Sequence, residues 1–187
     1  MKYIIEHLES KLYKWCLLEY KHISDIVGKN NLIITNVKSK TKLRNIALSR
    51  NIFNKSFASL GLKNVCIMSP DAKKTLKSKD SKKIDYLVFG GILGDNPPKK
   101  RTAKYFGRLK HEKRNLGTKQ MSTDTAVYVA KNIANGKKLK EFKFADSIDI
   151  QLDNFMSVTL PFRYVIVKNK ILLPKGLAEH LNKINEP

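Results

Sequence analysis

Two glycine-containing stretches are the residues best suited to bind a small ligand. The first, GGILGD, runs from Gly90 to Asp95 and directly follows the apolar stretch YLVF. The second, RNLGTKQMSTDTA, runs from Arg114 to Ala126. Glycines let backbone amides and carbonyls approach a ligand closely, and open α/β sheets bind ligands where their strands end. Together the two loops predict a crevice that holds a flat ligand such as adenosine through main-chain hydrogen bonds.

Neither loop carries a standard nucleotide signature. GGILGD differs in spacing from the dinucleotide pattern G-x-G-x-x-G, and the chain has no G-x-x-x-x-G-K-[ST] segment for a nucleoside triphosphate. Taken alone, the first loop is equally consistent with a tight turn that binds nothing. The second loop, which leads into a helix rich in small residues, favours the ligand-binding interpretation.

A basic segment follows the first loop. The chain has 37 lysines and arginines, 16 acidic residues and a net charge of +21, which favours nucleic acid or a nucleic-acid-rich assembly as a partner. A general bias toward lysine would raise the total in the same way, so the distribution is more informative. Three of the six arginines lie in residues 101–114, where Glu112 is the only acid. We expect segment 97–114 to bind the substrate, through Lys99, Lys100, Lys104, Arg108 and Arg114.

Hydrophobic periodicity predicts strands that alternate with helices. Apolar runs indicate strands in residues 2–9, 31–37, 64–69 and 84–89, and helical spacing indicates helices in residues 11–28, 41–61 and 122–136. Residues 141–152 and 158–174 are strand-like, with a turn at Lys168 to Lys170, and residues 175–184 indicate a final helix. The pattern predicts a single α/β domain over residues 1–187 with a mostly parallel sheet.

The composition also narrows the class of protein. No apolar run approaches the roughly 18 residues that a membrane span needs, and the N-terminal MKYIIEHLE carries too many charges for a signal peptide. Cys16 and Cys66 match no zinc or disulfide pattern. We therefore expect a cytoplasmic protein with reduced thiols, no metal and no membrane partner.

Several long segments resemble one group of proteins in the right order. FGGILGDNPPKKRT, RNLGTKQMSTDTAVYVA, LPFRYV, MKYIIEHLE and WCLLEYKHI closely resemble a group of SPOUT-class methyltransferases. The group includes archaeal proteins regarded as S-adenosylmethionine-dependent RNA methyltransferases and eukaryotic enzymes that methylate an arginine of a small-subunit ribosomal protein. The resemblance covers essentially the whole chain. It implies a SPOUT-type α/β fold, a mostly parallel sheet flanked by helices, with a C-terminal trefoil knot within about residues 86–165.

The resemblance also implies that S-adenosylmethionine is the cofactor. In this class the knot loops hold the cofactor mainly by backbone contacts, and a strand equivalent to LPFRYV closes the pocket. The implied cofactor-binding residues are Gly90, Gly91, Ile92, Leu93, Gly94, Leu116, Gly117, Gln120, Met121, Thr123, Asp124, Thr125, Ala126, Pro161, Phe162 and Arg163. Dimers are usual in the class, but the sequence leaves monomer and homodimer open.

Two methyl acceptors remain open, and each needs different residues. An arginine acceptor is a cation and requires carboxylates, for which the candidates are Glu6, Glu9, Glu19 and Asp95. An RNA acceptor requires basic groups near the cofactor loops, for which Arg101 and Arg114 are the candidates.

Each candidate has a plainer alternative. Asp95 can form a turn, Glu6 can face water, and the two arginines can form ion pairs. Trp15 and Tyr20 are expected in the core. The target is expected to be ribosomal RNA or a ribosomal protein, and a non-catalytic RNA- or ribosome-binding factor is the alternative function.

Overall fold

The computed structural model describes residues 1–94, 99, 101–152 and 156–185, with the side chains of residues 184 and 185 excepted. Within these residues the chain forms ten strands and four α-helices. The strands are β1 Lys2–His7, β2 Leu32–Thr35, β3 Val65–Met68, β4 Tyr86–Gly91, β5 Glu112–Arg114, β6 Lys143–Ala145, β7 Ile148–Gln151, β8 Ser157–Leu160, β9 Tyr164–Val167 and β10 Lys170–Ile171. The helices are α1 Lys14–Val27, α2 Arg101–Phe106, α3 Thr123–Ala134 and α4 Leu177–Asn185.

A five-stranded parallel sheet forms the centre of the molecule. Its strand order is β2-β1-β4-β3-β5, and every pairing between neighbours is parallel. β4 lies in the middle, where Leu87, Val88 and Phe89 are all buried, as the continuous apolar run predicted. Because all five strands point the same way, their carboxyl ends meet at one edge. Both glycine loops begin at that edge, which confirms the predicted α/β class.

Both faces of the sheet are covered. One face packs against α1 and α3, whose buried side chains include Tyr20, Ile23 and Val127. On the other face, side chains such as Ile4 and Val88 pack with Phe57 and Phe106. The alternation of side chains along each strand divides the core in this way, because successive residues point to opposite faces.

The helix predicted for residues 41–61 is wrong. This stretch contains three short 3₁₀ turns, Thr41–Leu43, Ser49–Asn51 and Phe57–Ser59. Its apolar residues are buried as expected, but on both sides of the sheet: Leu43 and Ile46 join the core beside α1, whereas Phe57 joins the opposite one. A straight helix cannot wrap around an edge strand, and this segment does so beside β2.

The C-terminal third adds two small antiparallel sheets. β10, β9 and β6 form one, and β7 and β8 form the other. The predicted turn at Lys168 is confirmed, since Lys168 and Asn169 have φ values of 50° and 62°, as a tight hairpin requires. A third, smaller core lies here, in which Leu160, Tyr164 and Leu181 pack together with Trp15 of α1.

Two further features complete the fold. β5 is a short edge strand within the basic segment, where the sequence analysis predicted none. Across the part of the chain that the structure describes, the helices are too short or too polar for a membrane crossing.

Candidate active site

The main cleft lies at the carboxyl edge of the central sheet and has a volume of about 240 Å³. Both predicted loops line it. The predicted cofactor residues that do so are Gly90, Ile92, Gly94, Leu116, Gly117, Gln120, Met121, Thr123 and Ala126. The fold therefore brings together two stretches that 18 residues separate in sequence.

Hydrogen bonds hold the second loop in place. Asn115 Oδ1 accepts the backbone N–H of Gly117 at 3.0 Å, and Gly117 has a φ of 94°, a left-handed conformation that glycine adopts without strain. Arg163 N–H donates to the carbonyl oxygen of Gln120 at 2.8 Å. The hydroxyl of Thr123 donates to the carbonyl of Gly90 at 3.3 Å, which joins the two loops.

Glu9 and Arg101 fix the backbone of the first glycine loop. Glu9 Oε1 accepts the backbone N–H of Leu93 at 2.9 Å and forms an ion pair with Arg101 at 3.0 Å. Arg101 also donates to the carbonyl oxygen of Leu93 at 3.3 Å and lines the cleft. Glu9 and Arg101, each a candidate for chemistry, thus orient the backbone of the glycine loop.

A second, smaller cavity adjoins the cleft. Its volume is about 90 Å³, and it shares Ile92, Gly94 and Met121 with the main cleft. The remaining walls come from α1, from both glycine loops and from the segment LPFRY at the start of β9, namely Trp15, Glu19, Leu93, Ser122, Phe162 and Tyr164. Three aromatic side chains and one carboxyl group therefore line a space next to the main cleft.

Glu19 supplies the carboxyl group of this smaller cavity. The indole N–H of Trp15 donates to its Oε1 at 3.2 Å. Burial raises the pKa of Glu19 well above its ordinary value, and the nearby charge of Asp124 raises it further, although hydrogen bonds from Trp15 and Thr123 act in the opposite direction. A carboxylate in this position is poorly solvated, so a cation entering the cavity would be bound favourably.

Asp124 supplies a second buried carboxyl group nearby. It is 1% exposed, and its Oδ2 is hydrogen-bonded to Nδ1 of His22 at 2.7 Å. Its Oδ1 has no hydrogen-bond partner within the described part of the protein, which is rare for a buried polar atom. The sequence analysis assigned Asp124 to the cofactor, but in the structure it lies behind the cleft, beside α1.

The cleft fits an adenosyl ligand. Apolar side chains, Met68, Leu116 and Met121, provide walls for a flat ring, and Gly90 and Gly117 leave the adjacent backbone uncovered. At Gly94 a Cβ atom would come within 2.3 Å of the Phe162 ring, so a side chain here would displace that ring where the loop passes between cleft and cavity. These residues are the ones that would hold S-adenosylmethionine.

Several predicted residues occupy other positions. A Cβ at Gly91 would come within 2.3 Å of the Tyr20 hydroxyl and 2.9 Å of Ile5, so Gly91 is packed against the core and does not line the cleft. Glu6 is 3% exposed and accepts hydrogen bonds from Thr35 and from the backbone N–H of Phe57. The expectation that Glu6 faces water is therefore wrong.

The other predicted cofactor-binding residues differ in their surroundings. Thr125 is fully buried and accepts a hydrogen bond from Ser122 at 2.9 Å. The guanidinium of Arg163 lies over the Phe144 ring and pairs with Asp146 at 2.7 Å. Pro161 is exposed.

The basic residues divide into exposed and internal ones. Lys104 and Arg108 are exposed, and Lys99 is exposed at the rim of the cleft. Arg114 is buried and pairs with Asp80 at 3.3 Å and Glu112 at 2.9 Å.

Arg114 therefore forms ion pairs within the protein, which was the plainer alternative to a contact with RNA. A guanidinium held in this way is turned away from a nucleic-acid partner. Asp95 and Lys100 lie outside the described residues.

One wall of the cleft was not among the residues predicted from the sequence. Ser69, Pro70 and Asp71 follow β3, which lies between β4 and β5 in the sheet, and they line the cleft together with the glycine loops. The signal was present, because a third parallel strand ending at the same edge must also point its following loop toward the ligand. Trp15, which was expected in the core, packs against the small C-terminal core and also lines the smaller cavity.

The comparisons with known proteins agree on one family. The model of the SFM1-like family, which is described as protein arginine N-methyltransferase SFM1-like, matches residues 2–186 of this chain. The protein arginine N-methyltransferase SFM1 of Saccharomyces cerevisiae is 35% identical over 203 residues, with 98% of this chain and 95% of that protein covered.

Solved structures show the same similarity. The yeast arginine methyltransferase SFM1 complexed with SAH superimposes with a TM-score of 0.87 at 33% identity, covering 96% of this chain and 94% of that one. The same yeast enzyme complexed with SAM gives a TM-score of 0.83 at 33% identity, covering 98% and 90%. Trm10 from Thermococcus kodakaraensis, at 18% identity and a TM-score of 0.59 over 75% of this chain, shares the fold alone.

The parallel sheet and its glycine-lined cleft, together with these matches, define a SPOUT-class methyltransferase that uses S-adenosylmethionine as its methyl donor. The chain belongs to the family of SFM1-like protein arginine N-methyltransferases.

Proposed function

We propose that this enzyme transfers a methyl group from S-adenosylmethionine to a guanidinium nitrogen of an arginine in a protein substrate. The observation that carries the proposal is the small cavity beside the cleft, where Glu19 is surrounded by Trp15, Phe162 and Tyr164. Its relatives in yeast, which are named arginine methyltransferases, support the same acceptor.

The chemistry of the cavity suits a guanidinium group. A carboxylate can accept two parallel N–H bonds from arginine, and aromatic faces attract a planar cation. Burial makes both interactions stronger than they would be in water. The charge of Asp124 nearby adds to the attraction, so a strongly basic protein has a locally acidic pocket at this point.

Glu19 orients the acceptor and takes the released proton in the proposed mechanism. When bound, S-adenosylmethionine supplies an electrophilic methyl group on a sulfonium centre. Methylation of a guanidinium nitrogen forms an N–C bond, breaks the S–C bond and releases one proton, which Glu19 accepts. Alignment of the two reactants contributes most of the remaining acceleration. The Glu9–Arg101 pair keeps the glycine loop in the position that this alignment needs.

An RNA acceptor has weaker support. A nucleotide acceptor would require basic groups beside the reacting atom, and none of the described residues that line the small cavity is a lysine or arginine. Arg101 lines the main cleft but is held by Glu9. The charge distribution therefore favours a cationic acceptor over a polyanionic one at this position.

As parts of the same proposal, the substrate is a ribosomal protein and the enzyme acts in the cytoplasm. Support comes from the resemblance and from exposed cations near the cleft, Lys99, Lys104 and Arg108, which suit a target beside ribosomal RNA. We further propose that residues 1–187 form one domain with a knot within residues 86–165. The hydrogen bond from Arg163 to Gln120, which lays the later strand against the second loop, is compatible with such threading.

Transfer of labelled methyl groups to isolated ribosomes tests the proposal. We expect label that survives nuclease, is lost with protease and is recovered as methylarginine after hydrolysis. Label in RNA would overturn the arginine acceptor. A folded protein that binds neither S-adenosylmethionine nor its demethylated product in calorimetry would favour the non-catalytic binding factor.

A further inference from the structure

The connection between β2 and β3, residues 36–64, is part of a long stretch without acidic residues. Between Asp25 and Asp71 there are 45 residues and no Asp or Glu, although an average share of the 16 acids in the chain would be about four. The stretch contains eight cations: Lys29, Lys38, Lys40, Lys42, Arg44, Arg50, Lys55 and Lys63.

All eight cations are exposed, and none forms an ion pair with any described residue. Elsewhere on the surface, opposite charges meet, as in Lys21–Asp25, Lys119–Asp146 and Arg163–Asp146. A solvated surface normally mixes both signs of charge. A general bias toward lysine raises the number of cations but does not remove every acid from 45 consecutive residues.

The β2–β3 connection is held firmly by the fold. The backbone N–H of Asn36 donates to the carbonyl of Lys55 at 2.9 Å, and Ile52 pairs with Ile34 of β2. The backbone N–H of Phe57 donates to the buried Glu6 at 3.0 Å. The charges are therefore attached to an ordered backbone, which reduces the entropy lost when a partner binds.

The connection also reaches the basic segment near the active site. It begins at the carboxyl end of β2, on the edge that carries the cleft. The ring of Phe57 lies 5.8 Å from that of Phe106 and 5.9 Å from that of His111. Through these contacts the connection adjoins α2, which carries the exposed Lys104.

We infer that the β2–β3 connection, continued by α2, is a binding surface for the phosphate backbone of double-helical RNA. Lysines and exposed hydroxyl and amide side chains such as Ser39, Thr41 and Asn45 are suitable phosphate ligands. The two aromatic residues of the connection, Phe53 and Phe57, are half-buried and buried, so the connection itself offers no exposed ring on which a single-stranded base could stack. The exposed ring of Tyr105 lies beyond it, on α2. Duplex RNA is recognised mainly through shape and backbone.

This binding activity goes beyond methyl transfer and does not depend on the acceptor being arginine. Its role would be to hold an RNA-associated substrate while the acceptor side chain reaches the cleft.

The experiment compares two quadruple variants that lose the same charge. The first carries Lys38→Gln, Lys40→Gln, Lys42→Gln and Lys55→Gln. The matched control carries Lys140→Gln, Lys143→Gln, Lys168→Gln and Lys170→Gln, all exposed lysines of the C-terminal sheets. Binding of a labelled RNA duplex of about 20 base pairs is measured by fluorescence anisotropy between about 50 and 200 mM salt, the range over which phosphate contacts change affinity steeply.

We expect the first variant to bind the duplex at least about tenfold more weakly at 100 mM salt, with a salt slope smaller by about 3, because each lost phosphate contact removes roughly 0.7 to 0.9. The control should change less than threefold.

Equal weakening of both variants, or no duplex binding by the wild type at 50 mM salt, would overturn the inference. So would competition by polyglutamate as strong as that by RNA, which would indicate an acidic protein partner instead. The rate of methyl transfer to the protein substrate in the absence of RNA should be unchanged in both variants. This rate tests the proposed function separately from the binding of RNA.

Discussion

Glu19 has the environment most clearly suited to chemistry in this protein. Its carboxyl group faces the smaller cavity among aromatic rings and accepts hydrogen bonds from Trp15 and Thr123. Glu6, an equally buried acid, lines neither the cleft nor the smaller cavity and is hydrogen-bonded to β2 and to Phe57. This difference is why we propose Glu19, and not Glu6, as the residue that acts on the acceptor.

Replacement of Glu19 tests this assignment. We expect Glu19→Gln to lower kcat about 100- to 10,000-fold, the usual range for loss of a general base, while calorimetry shows unchanged affinity for S-adenosylmethionine. Glu179→Gln, the same change on the exposed surface of α4, is the control. Near-normal turnover of Glu19→Gln would remove this residue from the mechanism.

The pH dependence of activity follows from the same environment. Because burial and then Asp124 raise the pKa of Glu19, the carboxylate that binds a guanidinium is lost at a higher pH than for an ordinary glutamate. The value of kcat/KM should therefore fall as the pH falls, through a midpoint above 4.5.

Asp124→Asn tests the electrostatic part of that argument. Removal of the neighbouring negative charge should shift the acidic limb of the kcat/KM profile to lower pH. The unfolding temperature of the variant shows whether loss of the His22 hydrogen bond has changed the fold. An unshifted limb in a well-folded variant would show that Asp124 does not act on Glu19.

At the scale of elements, two glycines at the end of β4 and in the loop that follows it have different surroundings. Gly91 is next to the Tyr20 hydroxyl and the Ile5 side chain, within the core between β1 and α1. Gly94 is next to Phe162 and Gln120, between the cleft and the small cavity. The sequence motif GGILGD does not distinguish them, because the difference depends on which neighbours the fold supplies.

Alanine substitutions test this difference. We expect Gly91→Ala to lower the free energy of unfolding by about 1–3 kcal/mol, the usual cost of overpacking a core, as measured by denaturant titration. Gly94→Ala should leave stability within about 1 kcal/mol, because the Phe162 side chain can move, but should raise KM for the protein substrate. The opposite pattern would mean that the two assignments are exchanged.

At the scale of the whole molecule, the C-terminal sheets support the site on the main sheet. Trp15 of α1 packs in the small core with Leu160, Tyr164 and Leu181, and the same Trp15 lines the smaller cavity. A change in this remote core should therefore alter the smaller cavity more than the main cleft.

Truncation of a buried leucine tests this connection. Leu181→Ala should lower the free energy of unfolding by about 2–5 kcal/mol, the range for large-to-small changes in cores. Below the unfolding transition, KM for the protein substrate should rise more than Kd for S-adenosylmethionine. Ala178→Gly on the exposed side of α4 is a control for effects on the helix alone. Equal changes in the two constants would show that the core does not act through Trp15.

Local sequence patterns determined much of this protein: the central strands, α1, α3, and the glycine loops at strand ends. The strands and helices can be predicted from local sequence because the periodicity of apolar side chains shows which face of each element is buried. The position of the glycine loops follows because parallel strands bring the loops after them to one edge of the sheet.

Only the tertiary structure decided how distant residues meet. Residues 41–61 have a helical pattern but bend around β2, because their apolar side chains are shared between both faces of the sheet. Arg114 lies in a basic segment of the kind that contacts nucleic acid. Its ion pairs with Asp80 and Glu112, however, hold the side chain inside the protein. The acceptor cavity joins Trp15 and Glu19 to Phe162 and Tyr164 across most of the chain, a proximity that long-range packing creates and no local pattern encodes.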